Sequence, residues 1–123
     1  MAEAIYNKIT RTDDADSAGT HVEFPGESLS HRKKRLGKSY VVDVMNQHGY
    51  NFDEKIQRQL TQEMLASYDL VVSMAAKRYT PKWLLDCPTY TYWKILDPGA
   101  RGYETTNRTR RLIEAKVKEL VQP

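Results

Sequence analysis

The chain has 123 residues, 40% hydrophobic and 28% charged, with a formal net charge of +3; that balance is enough for a single core in one domain over 1–123 and does not suggest a membrane protein. No run approaches the roughly 18 apolar residues of a membrane span. No basic-then-apolar leader opens the sequence either, so a cytoplasmic protein without membrane contact is expected. Cys87 is the one cysteine and cannot form an internal disulfide, in keeping with a reducing compartment.

Taken in chain order, Ala2 to Thr10 reads as a short helix, with Ile5 and Ile9 one turn apart and good helix formers at Ala2, Glu3 and Ala4. Nine residues are too few to stand alone in water, so this helix needs a surface to pack on. Asp13-Asp14 breaks the pattern, and Asp16 to Thr20 leads into a loop with Gly19, Pro25 and Gly26. Ser28 or Ser30 then caps a helix in which Leu36, Tyr40, Val41, Val44 and Met45 form one apolar stripe, ended by Gly49.

A short helix follows Thr61. The apolar run Tyr68 to Met74 suits a parallel strand covered on both faces. Thr80-Pro81 caps a short helix through Trp83, Leu84 and Leu85, and the β-branched and aromatic stretch Thr91 to Ile95 reads as a last strand ending at Asp97-Pro98. The final helix, about Tyr103 to Val121, presents Ile113, Val117, Leu120 and Val121 at helical spacing. Alternating strands and helices predict a three-layer α/β fold with a mostly parallel sheet.

Charge is uneven along the chain. Residues 1–30 hold two cations, Lys8 and Arg11, against six anions, a net −4; residues 31–60 hold seven cations against three anions, a net +4. The excess centres on His31-Arg32-Lys33-Lys34-Arg35, which suggests phosphate neutralisation in a small nucleic-acid-binding domain. No aromatic stacking platform accompanies the run, so a solvated helix start is the simpler reading and nucleic acid is not the expected partner.

Four segments in order, Met1-Ala2-Glu3-Ala4, Asp16-Ser17-Ala18-Gly19-Thr20, His48-Gly49 with Arg58-Gln59-Leu60, and Asp97-Pro98, resemble the low-molecular-weight protein tyrosine phosphatases and the arsenate reductases of the same fold. The resemblance spans essentially the whole chain. It implies a strand at Asp16 to Thr20 followed by a long surface loop, and a general-acid position at Asp97, on a loop after the last strand. It also implies that Ser17 and Arg58 support a phosphate loop, and that Lys55 stands where the family often has a bracing His. A lysine donates hydrogen bonds but accepts none, so that bracing would differ. The family's aromatic substrate mouth after Asp-Pro is here Gly99-Ala100-Arg101-Gly102, which predicts flexibility, with Tyr103 the nearest ring.

Tyrosine-phosphate hydrolysis in such a family needs a thiolate nucleophile within Cys-x5-Arg, where backbone amides and the arginine hold the phosphoryl oxygens. Six residues after Cys87 comes Trp93, not Arg. Cys87-Pro88 also follows a predicted helix end, where the dipole raises a thiol pKa. Cys87 matches, at most, an extra cysteine of the arsenate reductase branch, and a single thiol cannot complete that relay. His21, His31 and His48 are too far apart to form a metal motif, and no glycine-rich nucleotide loop is present, so neither metal nor cofactor is expected.

The resemblance further implies that a first, central strand and the phosphate loop would precede Met1. Without that strand, three outcomes are open: two strands close up and pair, a second copy fills the gap by strand exchange or edge pairing, or further N-terminal residues complete the sheet. Three functions follow. The leading one is a phosphatase-like protein inactive as given, a pseudo-enzyme or oligomeric binding module that takes a phosphate-type ligand only if a phosphate loop is supplied. The second is an active phosphatase or arsenate reductase with additional N-terminal residues. The third is the basic nucleic-acid-binding domain.

Overall fold

Ile5 explains why so short an opening helix holds. It is fully buried, and the helix around it, α1 (Ala2–Thr10), packs on the long C-terminal helix α5 (Tyr103–Val121), which supplies the surface that nine residues alone lack. The computed structural model describes residues 1–99 and 101–122. Ile5, Met45, Phe52, Ile95, Ile113 and Val117 form the core cluster.

Where one helix was expected between Ser28 and Gly49 there are two, α2 (Leu29–Leu36) and α3 (Tyr40–Gln47). Ser28 caps α2 by accepting the His31 N–H at 3.0 Å. Gly37 then turns left-handed at φ 89° and ends it, and the Ser39 hydroxyl accepts the Val42 N–H to begin α3. A stop glycine two residues before a capping serine outcompetes continuation of the stripe. Leu36 falls on the exposed side of that break, whereas Val42, Val44 and Met45 are fully buried.

The sheet is small. β1 (Val71–Ser73) and β2 (Tyr90–Tyr92) pair in parallel, Val71 opposite Tyr90 and Ser73 opposite Tyr92, extended by Val71 N–H to Thr89 O and Trp93 N–H to Ser73 O. Both strands are shorter than their apolar runs, because Leu70 lies 41% exposed outside the ladder and the chain leaves β2 toward buried Ile95. The crossover between them carries α4 (Lys82–Leu85), which starts one residue later than the Thr80 cap predicts. The Thr80 hydroxyl instead donates to Ala76 O at 2.9 Å. The 61–67 helix forms as a 3₁₀ turn over Gln62–Ser67.

No strand forms at Asp16–Thr20. Gly19 makes an isolated parallel bridge to Gln59, with Gly19 N–H to Arg58 O and Leu60 N–H to Gly19 O, both 2.8 Å. On its other side the 55–59 ribbon bonds the start of α2, through Leu29 N–H to Lys55 O and Gln57 N–H to Glu27 O.

In α5 the buried stripe runs Thr106, Thr109, Ile113, Val117, and Leu120 lies 42% exposed. The threonine hydroxyls donate to carbonyls four residues back, Gly102 and Thr105. With its hydroxyl so satisfied, each threonine is buried without leaving an unpaired polar atom. After Val117 the stripe continues at Val121, half-buried, and bypasses Leu120.

Candidate functional site

A cavity of about 190 Å³ opens at the first turn of α1, walled by Glu3, Ser17, Gly19, Phe52, Lys55 and Arg58. Two tethers bring these distant residues together. Asn7 on α1 grips Ala15 with both ends of its amide, Nδ2 to Ala15 O at 3.1 Å and Oδ1 from Ala15 N–H at 2.9 Å, so Asp16 and Ser17 pass alongside the helix. The ribbon 55–59, held between Gly19 and α2, supplies Lys55 and Arg58 from the other side.

Inside the cavity the cations are met by carboxylates of the same chain. The Ser17 hydroxyl donates to Glu3 Oε2 at 2.7 Å, and Lys55 Nζ lies 3.4 Å from that oxygen. Arg58 Nη2 donates to Ser17 O at 3.1 Å and lies 3.5 Å from Asp16 Oδ1. Tyr68 donates its hydroxyl to Asp16. That hydrogen bond, with Arg58 beside it, holds the Asp16 carboxyl below the usual carboxylate range, and the same bond pushes the Tyr68 phenol up.

Ser17, Lys55 and Arg58 therefore share one cavity. Asp97 and Tyr103 do not line it. Asp97 is exposed and accepts the Gly99 N–H at 3.0 Å, an Asx turn, and Tyr103 opens α5 half-buried. Of the segment expected to be flexible, Ala100 lies outside the described residues. Cys87 follows α4, with its sulfur 3.4 Å from the Thr89 hydroxyl and away from the cavity lining. Among the described residues no three His, Cys, Asp or Glu side chains gather as a metal site.

A profile described as low molecular weight phosphotyrosine protein phosphatase matches residues 1–123. The chain belongs to that family. Two solved structures are similar: Wzb of Vibrio vulnificus in complex with benzylphosphonate, with TM-score 0.76 and 17% identity over 97% of this chain and 85% of that one, and YfkJ of Bacillus subtilis, with TM-score 0.67 and 18% identity over 98% and 82%. No curated protein matches the sequence. The α/β fold with its small parallel sheet is thus that of the family, and no helix among the described residues is long and apolar enough to cross a membrane.

Sequence reasoning missed Glu3, Asp16 and Tyr68 as the groups that occupy the cations. Glu3 carries a partial signal, an acid in a helix first turn. Nothing in the sequence links Tyr68 to Asp16 across 52 residues. It also missed Glu27, whose side chain is 6% exposed and accepts from Arg35 Nε and Nη2 at 2.9 Å each and lies 2.9 Å from His31 Nδ1. These donors, Arg35 foremost, hold the Glu27 carboxyl down at about 2. Lys33 pairs with Asp43 at 2.7 Å. Three members of the basic run are therefore engaged within the molecule.

Proposed function

We propose that these 123 residues carry the acid position and the support half of a phosphotyrosine-phosphatase-type site, and that they do not by themselves hydrolyse aryl phosphates. The observation behind this reading is the convergence of Ser17, Lys55 and Arg58 in one cavity at the start of α1, the helix end toward which backbone N–H groups point and where an anion is favoured. Benzylphosphonate, an aromatic phosphonate, is bound by one neighbour of the same fold, in keeping with an aryl phosphate class for such a site. Asp97 holds the general-acid position by resemblance. The only thiol, Cys87, has neither the Cys-x5-Arg pattern nor a place in the cavity.

The direct test is p-nitrophenyl phosphate hydrolysis by the 123-residue chain, beside Asp97→Ala. The outcome expected is no turnover by either protein, and turnover abolished in Asp97→Ala would reveal a nucleophile elsewhere and end this reading.

The second reading, an active phosphatase or arsenate reductase with further N-terminal residues, is favoured by the support side chains still being assembled around the cavity. Its test is the in-frame DNA upstream of Met1, which on that reading encodes an apolar strand followed by Cys-x5-Arg-Ser-Pro.

Self-association is the partner reading. β1 is paired along one edge only among the described residues, and an open edge is a template for a second strand. Light scattering on a size-exclusion column should give a dimer. The nucleic-acid reading loses support because His31, Lys33 and Arg35 are matched by Glu27 and Asp43.

A further inference from the structure

A second cleft, about 350 Å³, shares no lining residue with the first. One wall is Thr20 and His21. Gln59 pins that wall, donating through Nε2 to Thr20 O at 3.0 Å and accepting the Val22 N–H through Oε1 at 2.8 Å. The facing wall is the 3₁₀ turn Lys77–Tyr79 with Thr80 and Trp83. Three bonds close it: Tyr79 N–H to Ala76 O at 2.9 Å, Thr80 N–H to Lys77 O at 3.0 Å, and the Thr80 hydroxyl to Ala76 O. The walls meet where His21 stacks on Tyr79, centroids 5.1 Å apart and planes 17° from parallel. With each side held by its own hydrogen bonds, the cleft is preformed, and its volume is at the small end of ligand sites.

The lining has one formal cation and no carboxylate. The Arg78 guanidinium lies over the Tyr79 ring at 4.8 Å. Stacking uses the face of a guanidinium and leaves the in-plane N–H donors at its edge. Among the described residues Arg78 forms no ion pair or hydrogen bond, and the Thr20 hydroxyl makes none either. Trp83 adds an aromatic surface. A single guanidinium fork suits the two coplanar oxygens of a monoanionic carboxylate, and the rings suit a flat apolar body.

We propose that this cleft binds a small aromatic carboxylate, its oxygens on the Arg78 fork and its ring against Trp83. The site does not depend on phosphatase chemistry, so its test needs no turnover. The probe is benzoate, titrated into the ¹⁵N-labelled 123-residue chain, with acetate and benzyl alcohol as controls lacking the ring or the charge.

Benzoate should produce saturable shifts at the Trp83 indole N–H and at the His21 and Tyr79 amides. Benzyl alcohol should bind about tenfold or more weakly, since a hydrogen bond to a charged group contributes roughly 1.5–3 kcal/mol, and acetate should also bind more weakly because it buries no ring against Trp83. Arg78→Ala and Arg78→Gln, both at an exposed position, should abolish the saturation, and the same spectra report whether each variant is folded. No saturable shift at these signals, shifts confined to other residues, or undiminished binding by a folded Arg78 variant would each overturn the proposal.

Discussion

The two clefts adjoin at the Gly19–Thr20 peptide and treat positive charge in opposite ways. At the start of α1, Lys55 meets Glu3 and Arg58 meets Asp16, so the cations are neutralised before any ligand arrives. Across the Gly19–Gln59 bridge, Arg78 rests on a tyrosine ring with its hydrogen-bonding edge uncommitted. An incoming anion must compete with internal carboxylates in the first cleft but only with water in the second. The basic run on α2 leans toward the first pattern, because Glu27 and Asp43 engage three of its five side chains. Local charge counts are therefore a poor guide to which cation is open: the richest stretch, 31–35, has three of its five side chains engaged, while Arg78, in a 3₁₀ turn, keeps its edge uncommitted.

Four experiments sharpen or break this contrast. The largest expected effect comes from Ile5→Ala, which removes a fully buried side chain from the helix that carries Glu3 and should cost about 2–5 kcal/mol in urea unfolding. If the clefts are mechanically separate, the Trp83 indole N–H resonance in the folded variant should match wild type, even where that of Trp93, packed against the core, shifts.

Gly19→Ala comes next. A Cβ there would sit 2.6 Å from Val22 Cγ2, and valine is stiff at χ1, so the shared wall must shift at a cost of about 1–3 kcal/mol. Val22→Ala in the same chain should recover most of that loss; no recovery would mean the close approach is not the cause.

Glu3→Gln should cost only about 0.2–1 kcal/mol, the worth of a partly exposed pair, yet it makes the first cleft resemble the second by freeing Lys55. Inorganic phosphate should then raise Tm in the variant more than in wild type. Equal responses would show that Glu3 does not screen the cleft.

Glu27→Gln tests the paired extreme through pH. The Glu27 carboxyl, ordinarily near 4.5, is held at about 2, so its stabilising contribution is fully present above about pH 4.5 and is lost as pH falls through about 2. The variant should be less stable near neutrality, and its stability should fall less steeply between pH 4.5 and 2 than that of wild type.

Much of the scaffold was legible because its causes are local. Asp-Asp after Thr10, Ser28 before a helix and Pro81 at a helix start each act within a turn of the backbone. The errors share a cause as well. The 28–49 stripe looked continuous because periodicity ignores the αL turn at Gly37, and Leu120 looked buried because the threonines that set the register of α5 do not read as apolar. The strand at Asp16–Thr20 shrank to one bridge because pairing depends on a partner ribbon far along the chain, which the segment itself cannot specify.

The same division holds for the site. Residue order alone carried the likeness to the phosphatase family, and it was that likeness that pointed to Ser17, Lys55 and Arg58. Which cation is answered by which carboxylate was decided only in three dimensions. Electrostatic pairing acts over a few ångströms of space, and folding sets Tyr68 against Asp16 and Lys55 against Glu3 while leaving the edge of Arg78 to solvent.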